Sequence, residues 1–138
     1  MSVALLVILA ANRAPSWDAW NQALLESESL PVLTQSVELS SHRGFLPAVL
    51  GGKETGFYFV VDSYSEIRAR YPSMPRLSLD HPVVYSLSFG PNPDECASAF
   101  LSASVLVTRF GGVAFDAQAG KAMDATQLTR AAHACSRL

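Results

Sequence analysis

Cys96 is the residue best placed for chemistry. It follows Asp94-Glu95 in a stretch that reads as a helix start, and a thiol in the first turn of a helix has its pKa lowered by the helix dipole. Two adjacent carboxylates push that pKa back up. Cys96 also falls on an apolar stripe with Ala99, Phe100 and Ala103, so it is expected to be structural rather than nucleophilic. His81 serves it as a base only if the fold brings the two together. The three histidines, His42, His81 and His133, are scattered. His133 and Cys135 stand at i and i+2, which on a helix point in different directions and make a poor metal site. Cys96 and Cys135 are far apart and form no CxxC pattern. A disulfide between them is possible but not implied, and both are read as buried small apolar residues. There is no GxSxG, P-loop or GxGxxG string. No catalytic residue, metal or cofactor is therefore expected. A small enzyme using Cys96 or a loop pocket is the alternative.

Binding chemistry has two candidate sources. From Asp62 to Arg76 the chain is polar and carries Tyr64, Glu66, Arg68, Arg70 and Tyr71. Arg and Tyr are enriched where proteins meet proteins, so Asp62, Tyr64, Glu66, Arg68, Arg70 and Tyr71 are the expected partner contacts. The second source is Thr55-Gly56-Phe57-Tyr58-Phe59-Val60-Val61-Asp62, which resembles the RNP1 strand of an RNA-recognition motif. Thr55 replaces the basic residue, Tyr58 the small one, and Asp62 stands where a stacking aromatic belongs. No nucleic acid is expected as a partner.

These residues must be held by a scaffold. Val3 to Ala11 is a continuous apolar run, which reads as a central strand buried on both faces rather than a signal peptide, since no Lys or Arg precedes it. Ser16 can cap a helix reaching Ser29, with Trp17, Trp20 and Leu24 on one face. A short strand follows within 31–43. Phe45–Leu50 and Phe57–Val61 form a hairpin with a longer Gly-rich loop between them, and Pro47 marks an edge or a bulge. Residues 63–70 form one or two helical turns. Val83–Phe89 is a strand. Asn92-Pro93-Asp94-Glu95 opens a helix reaching Phe110, Gly111-Gly112 stops it, Val113–Phe115 is a last strand, and 124–138 is a helical tail. This order predicts a single α+β domain over 1–138: a mostly antiparallel sheet with helices on one face. Its core is expected to be ferredoxin-like βαββαβ, with an extra strand and a C-terminal helical tail.

Composition narrows the classes. The 138 residues hold 10 Lys+Arg against 12 Asp+Glu, a net charge of −2, with 49% hydrophobic and 16% charged residues. A chain of this length and apolarity buries a real core and is not disordered. Its charge balance does not suit a phosphate-backbone partner. No apolar run reaches the ~18–20 residues that span a bilayer, so no membrane segment is expected. Together with the cysteine usage, this predicts a cytoplasmic protein.

Four strings carry a family resemblance. They are Gly44-Phe45-Leu46-Pro47, Gly56-Phe57-Tyr58-Phe59, Phe89-Gly90-Pro91-Asn92-Pro93-Asp94-Glu95-Cys96-Ala97 and Gly111-Gly112-Val113-Ala114-Phe115-Asp116-Ala117-Gln118. Between Gly44 and Gln118 the chain resembles small proteobacterial proteins of the kind that includes immunity proteins of contact-dependent and polymorphic toxin systems. The resemblance implies a stoichiometric inhibitor that binds a toxin domain. It carries over no catalytic residue.

Overall fold

The computed structural model describes residues 3–135. Strand β1 (Val3–Ala10) lies at the centre of the sheet. Its side chains alternate: Leu5, Val7 and Leu9 enter one core cluster, Leu6 and Ile8 the other. All five are at most 1% exposed, which explains why this strand reads as an unbroken apolar run.

Helix α1 (Trp17–Leu24) begins at Ser16, whose hydroxyl accepts from the Ala19 amide at 3.2 Å. It ends at Leu24 rather than Ser29; the polar Ser27-Glu28-Ser29 stretch turns tightly instead, with the Ser27 amide on the Leu24 carbonyl. Trp20 is fully buried against the rings of Phe57, Phe59 and Tyr85, and its indole N–H donates to the Ser102 carbonyl at 3.2 Å.

Strand β2 (Val32–Leu33) pairs with the far half of β3 (Arg43–Leu50), which is joined to β4 (Lys53–Ser63). The expected long loop is only Gly51-Gly52. Both have positive φ, +58° and +80°, the requirement of a two-residue hairpin turn. The Pro47 carbonyl accepts from Thr34 on the outer side of β3, so its missing N–H falls just beyond β2, where no ladder bond is lost.

Helix α2 (Tyr64–Arg70) leads by residues 71–80 to β5 (Pro82–Phe89). The long helix α3 (Pro93–Phe110) is capped by Asn92, whose side chain accepts from the Asp94 and Glu95 amides. Gly111 ends it in the left-handed region, φ +70°. Arg13 donates to the Phe110 and Arg109 carbonyls there, putting a positive charge on the helix C-terminus. The chain closes with β6 (Val113–Asp116), β7 (Lys121–Met123) and α4 (Ala125–Ala134), the last opened by an Asp124–Gln127 capping box. Residues 136–138 of the expected tail lie outside the described residues.

The seven strands form one antiparallel sheet in the order β2-β3-β4-β5-β1-β6-β7. The α+β class is as expected, but this order exceeds the four strands of a plain ferredoxin-like sheet. Two further expectations are corrected. Helices do not occupy one face alone. α1, α3 and α4 clad an inner face, while Ile67 of α2 and Met74 seal the outer face over Leu6, Ile8, Val84 and Phe115. Cys96 and Cys135 are not separate thiols. They form a disulfide with Cα atoms 5.8 Å apart, because the residue that follows α4 returns to the first turn of α3. Packing of α4 along α3 that brings together cysteines 39 residues apart cannot be read from spacing alone.

A candidate binding surface

The outer face is clad only in part. Over β1, β5 and β6 it is sealed by α2 and residues 71–80, but toward the β3–β4 hairpin it stays open. Phe45 and Tyr58 stand directly opposite each other there. Their rings meet edge to face at 5.3 Å and 73°, yet they remain 38% and 52% exposed. With Leu25 they are the exposed large hydrophobic residues among those described. Half-buried Pro47, Val49, Val60, Ser86 and Ser88 extend the patch.

Gly56 makes this arrangement possible. It is buried with φ +145°, and a Cβ there would lie 2.3 Å from the Leu46 carbonyl oxygen and 2.8 Å from the Phe45 ring. Absence of a side chain lets the Phe45 ring settle over the strand. Beside the patch, a cleft of about 450 Å³ is lined by Phe45, Pro47 and Val49 and by the carboxylate residues Glu54, Asp94 and Glu95. Arg43 and Lys53 are exposed on the same hairpin. An apolar, aromatic centre with a charged rim is the anatomy of a protein–protein interface.

The residues expected to contact a partner lie next to this corner but are largely committed elsewhere. Tyr64 packs against the outer-face cluster; its hydroxyl donates to the Pro75 carbonyl at 3.5 Å and accepts from the Leu77 amide at 3.3 Å. Tyr71 packs against the same cluster. Arg68 donates to the Met74 carbonyl at 2.9 Å. These three hold the 71–80 segment in place. Asp62 is half-buried on β4, facing Val84 across the ladder, while Glu66 and Arg70 are exposed on α2. Phe45 and Tyr58 were missed as a pair. Three consecutive aromatic residues in a strand must send the middle one to the opposite face, and that signal was present at 57–59.

The same alternation fixes where the rings of the RNP1-like string lie. Phe57 and Phe59, which a stacking platform needs at the surface, are 0% and 1% exposed beneath the helices. Cys96 is bonded to Cys135 and has no free thiol. His81 precedes the first residue of β5, and Cys96 shares a depression with Phe89 at its other end, so an eight-residue strand of ~24 Å lies between them. Among the described residues no group of three or more His, Cys, Asp or Glu is placed to hold a metal, and no helix is long and apolar enough to cross a membrane.

Ionisable groups elsewhere serve the scaffold. Glu26 and Arg109 form an exposed ion pair between the ends of α1 and α3. Hydrogen bonding to Arg109 holds the Glu26 carboxyl below its usual range, and the same bond raises the guanidinium. Tyr85 is 5% exposed and donates to the Pro15 carbonyl at 2.7 Å. Burial, with the Glu38 charge adding, pushes its phenol up to about 12.

No known protein family, curated protein or solved structure matches this chain.

Proposed function

We propose that this chain is a non-catalytic protein-binding domain whose partner seats on the open β3–β4 corner. In this reading it is an immunity protein, and the partner is the toxin domain it neutralises. The observation that carries the binding reading is the Phe45–Tyr58 pair, two aromatic rings left in water on an otherwise well-covered sheet. Rings of this kind bury large area on docking at little entropic cost, and Tyr is enriched among residues that dominate binding energy. The toxin partner rests on the resemblance between Gly44 and Gln118, which includes both rings. Glu66 and Arg70 then belong to the rim, where truncation costs little.

The scaffold is read here as a ferredoxin-like core with additions. Strands β4-β5-β1-β6 run in antiparallel sequence with a helix between β1 and β4 and another between β5 and β6, which supports that reading. The cysteines bear on the compartment. Disulfides persist in oxidising compartments and are rare in the cytosol, so the bond argues for action outside the cytoplasm, against the expectation from sequence.

The test is to look for a toxin domain encoded beside this gene and to co-express it with this chain, followed by gel filtration and a growth-protection assay; absence of such a neighbour counts against the toxin partner. A stoichiometric complex is expected, weakened at least tenfold by Tyr58→Ala and by Phe45→Ala, and little changed by Glu66→Ala or Arg70→Ala. Absence of any complex, or turnover of a small molecule by the purified protein, overturns the reading. So does micromolar, salt-sensitive binding of single-stranded RNA that Tyr58→Ala abolishes.

A further inference from the structure

The Cys96–Cys135 bond sits where it controls more than stability. Helix α4 lies along α3, with half-buried Ala131 adding to the contact. Its buried residues are Leu128 and Ala132, with Cys135 following at its end, while Thr126, Gln127, Thr129, Arg130 and His133 face outward. Ten residues is short of the ~12–15 at which isolated helices become even marginally stable, so α4 depends on being held to α3. Its first turn is fixed by the Asp124–Gln127 capping box and by β7. Its last turn is fixed by the disulfide. Both cysteines are buried, Cys96 at 5% and Cys135 at 2% exposure, and Cys96 lines a mostly apolar depression of about 380 Å³ with Val3, Phe89, Pro91 and Phe100. The depression brings solvent to the Cys96 side of the bond rather than the Cys135 side.

We propose that Cys96–Cys135 is a redox-operated latch on α4, opened by a dithiol reductant. One thiolate of the reductant attacks Cys96 Sγ. The Cys96–Cys135 bond breaks, a mixed disulfide forms at Cys96, and Cys135 leaves as a thiolate that takes up a proton. The second thiol of the reductant loses its proton and attacks its partner sulfur in the mixed disulfide. The reductant is thereby oxidised to its own disulfide, and Cys96 departs and is protonated in turn. Two electrons pass to the protein, which ends with two thiols. With the latch open, the C-terminal end of α4 leaves α3 and uncovers the side of α3 it packs against, while the sheet, α1 and α2 keep their structure. The inference is independent of what binds at the β3–β4 corner.

The test is hydrogen exchange, followed by mass spectrometry, on the full chain in its air-oxidised form and after dithiothreitol without denaturant. Thiol titration runs alongside. The oxidised protein is expected to show no free thiol, and the reduced protein two. Reduction should speed exchange in 125–134 at least tenfold and leave β1, β4 and β5 unchanged. The double variant Cys96→Ser/Cys135→Ser should reproduce the reduced pattern in the absence of reductant. Two free thiols in the air-oxidised protein, or unchanged exchange in α4 on reduction, overturns the proposal. Loss of protection across the whole sheet, or a double variant that does not fold, also overturns it, because the bond is then a staple of the entire domain.

Discussion

Strand β4 carries Phe57, Tyr58 and Phe59 in succession and divides them between two environments. Phe57 and Phe59 point inward, where they pack with Trp20 beneath α1 and α3. Tyr58 points outward, beside Phe45 and half in water. The two faces of one strand thus do different work. The inner face buries large rings in a packed core, where any lost atom leaves a cavity. The outer corner leaves comparable rings unburied, so their contribution to stability is small and their surface is free for a partner.

Breaking the inner side has the largest expected effect. Phe59→Ala removes a fully buried ring that contacts Trp20 and meets Tyr85 at 5.1 Å. It should cost about 3–5 kcal/mol in urea unfolding, with partner affinity unchanged in whatever remains folded. Gly56→Ala attacks the junction between the two faces, forcing a Cβ against backbone at φ +145°. A loss of about 2–3 kcal/mol is expected, along with displacement of Phe45 that a shift in its ring NMR signals would report.

Tyr85→Phe sharpens the inner side by pH. It should cost about 1 kcal/mol at neutral pH through the lost bond to Pro15. In the parent chain the neutral phenol is favoured by folding, with its pKa raised from 10 to about 12. Its contribution is therefore complete below pH 10 and falls as pH rises from 10 toward 12. Denaturant titrations across that range should show this decline in the parent and not in Tyr85→Phe. Tyr58→Ala should be the mildest for stability, within about 1 kcal/mol, which covers the loss of its edge-to-face pair with Phe45. If it instead destabilises as much as Phe59→Ala, the outer corner is part of the core and the contrast between the faces fails.

How much of this was legible in the sequence depended on how local each feature is. β1, α3 with its Asn92 cap and Gly111 stop, and the Asp124 start of α4 were readable, because capping and periodicity are properties of neighbouring residues. The hairpin turn was half readable. Gly51-Gly52 marks a turn in the sequence itself, but only the register shows that Lys53–Gly56 belong to the strand and pair with 47–50. The candidate site was the least legible. Tyr64 and Tyr71 were expected outside because their segment is polar, yet their rings cover the outer-face cluster. The acidic-Cys helix start was noticed, but its disulfide depends on where α4 ends in space. Register and helix pairing are long-range outcomes, and no local pattern encodes them.

The central position of β1 also governs the order in which the chain can fold. Val3 pairs with Phe89 and Ala10 with Pro82, and the other edge of β1 waits for Val113–Asp116. During synthesis, this most apolar strand emerges well before either of its pairing partners, residues 82–89 and 113–116. Such distant pairings slow folding, because loop-closure entropy must be overcome before native contacts form. Meanwhile Leu5-Leu6-Val7-Ile8-Leu9 is an uncharged β-forming segment of the type that aggregates when exposed. Newly made chains of this protein therefore need shielding at β1, and slow translation between 10 and 82 would lengthen the interval of exposure.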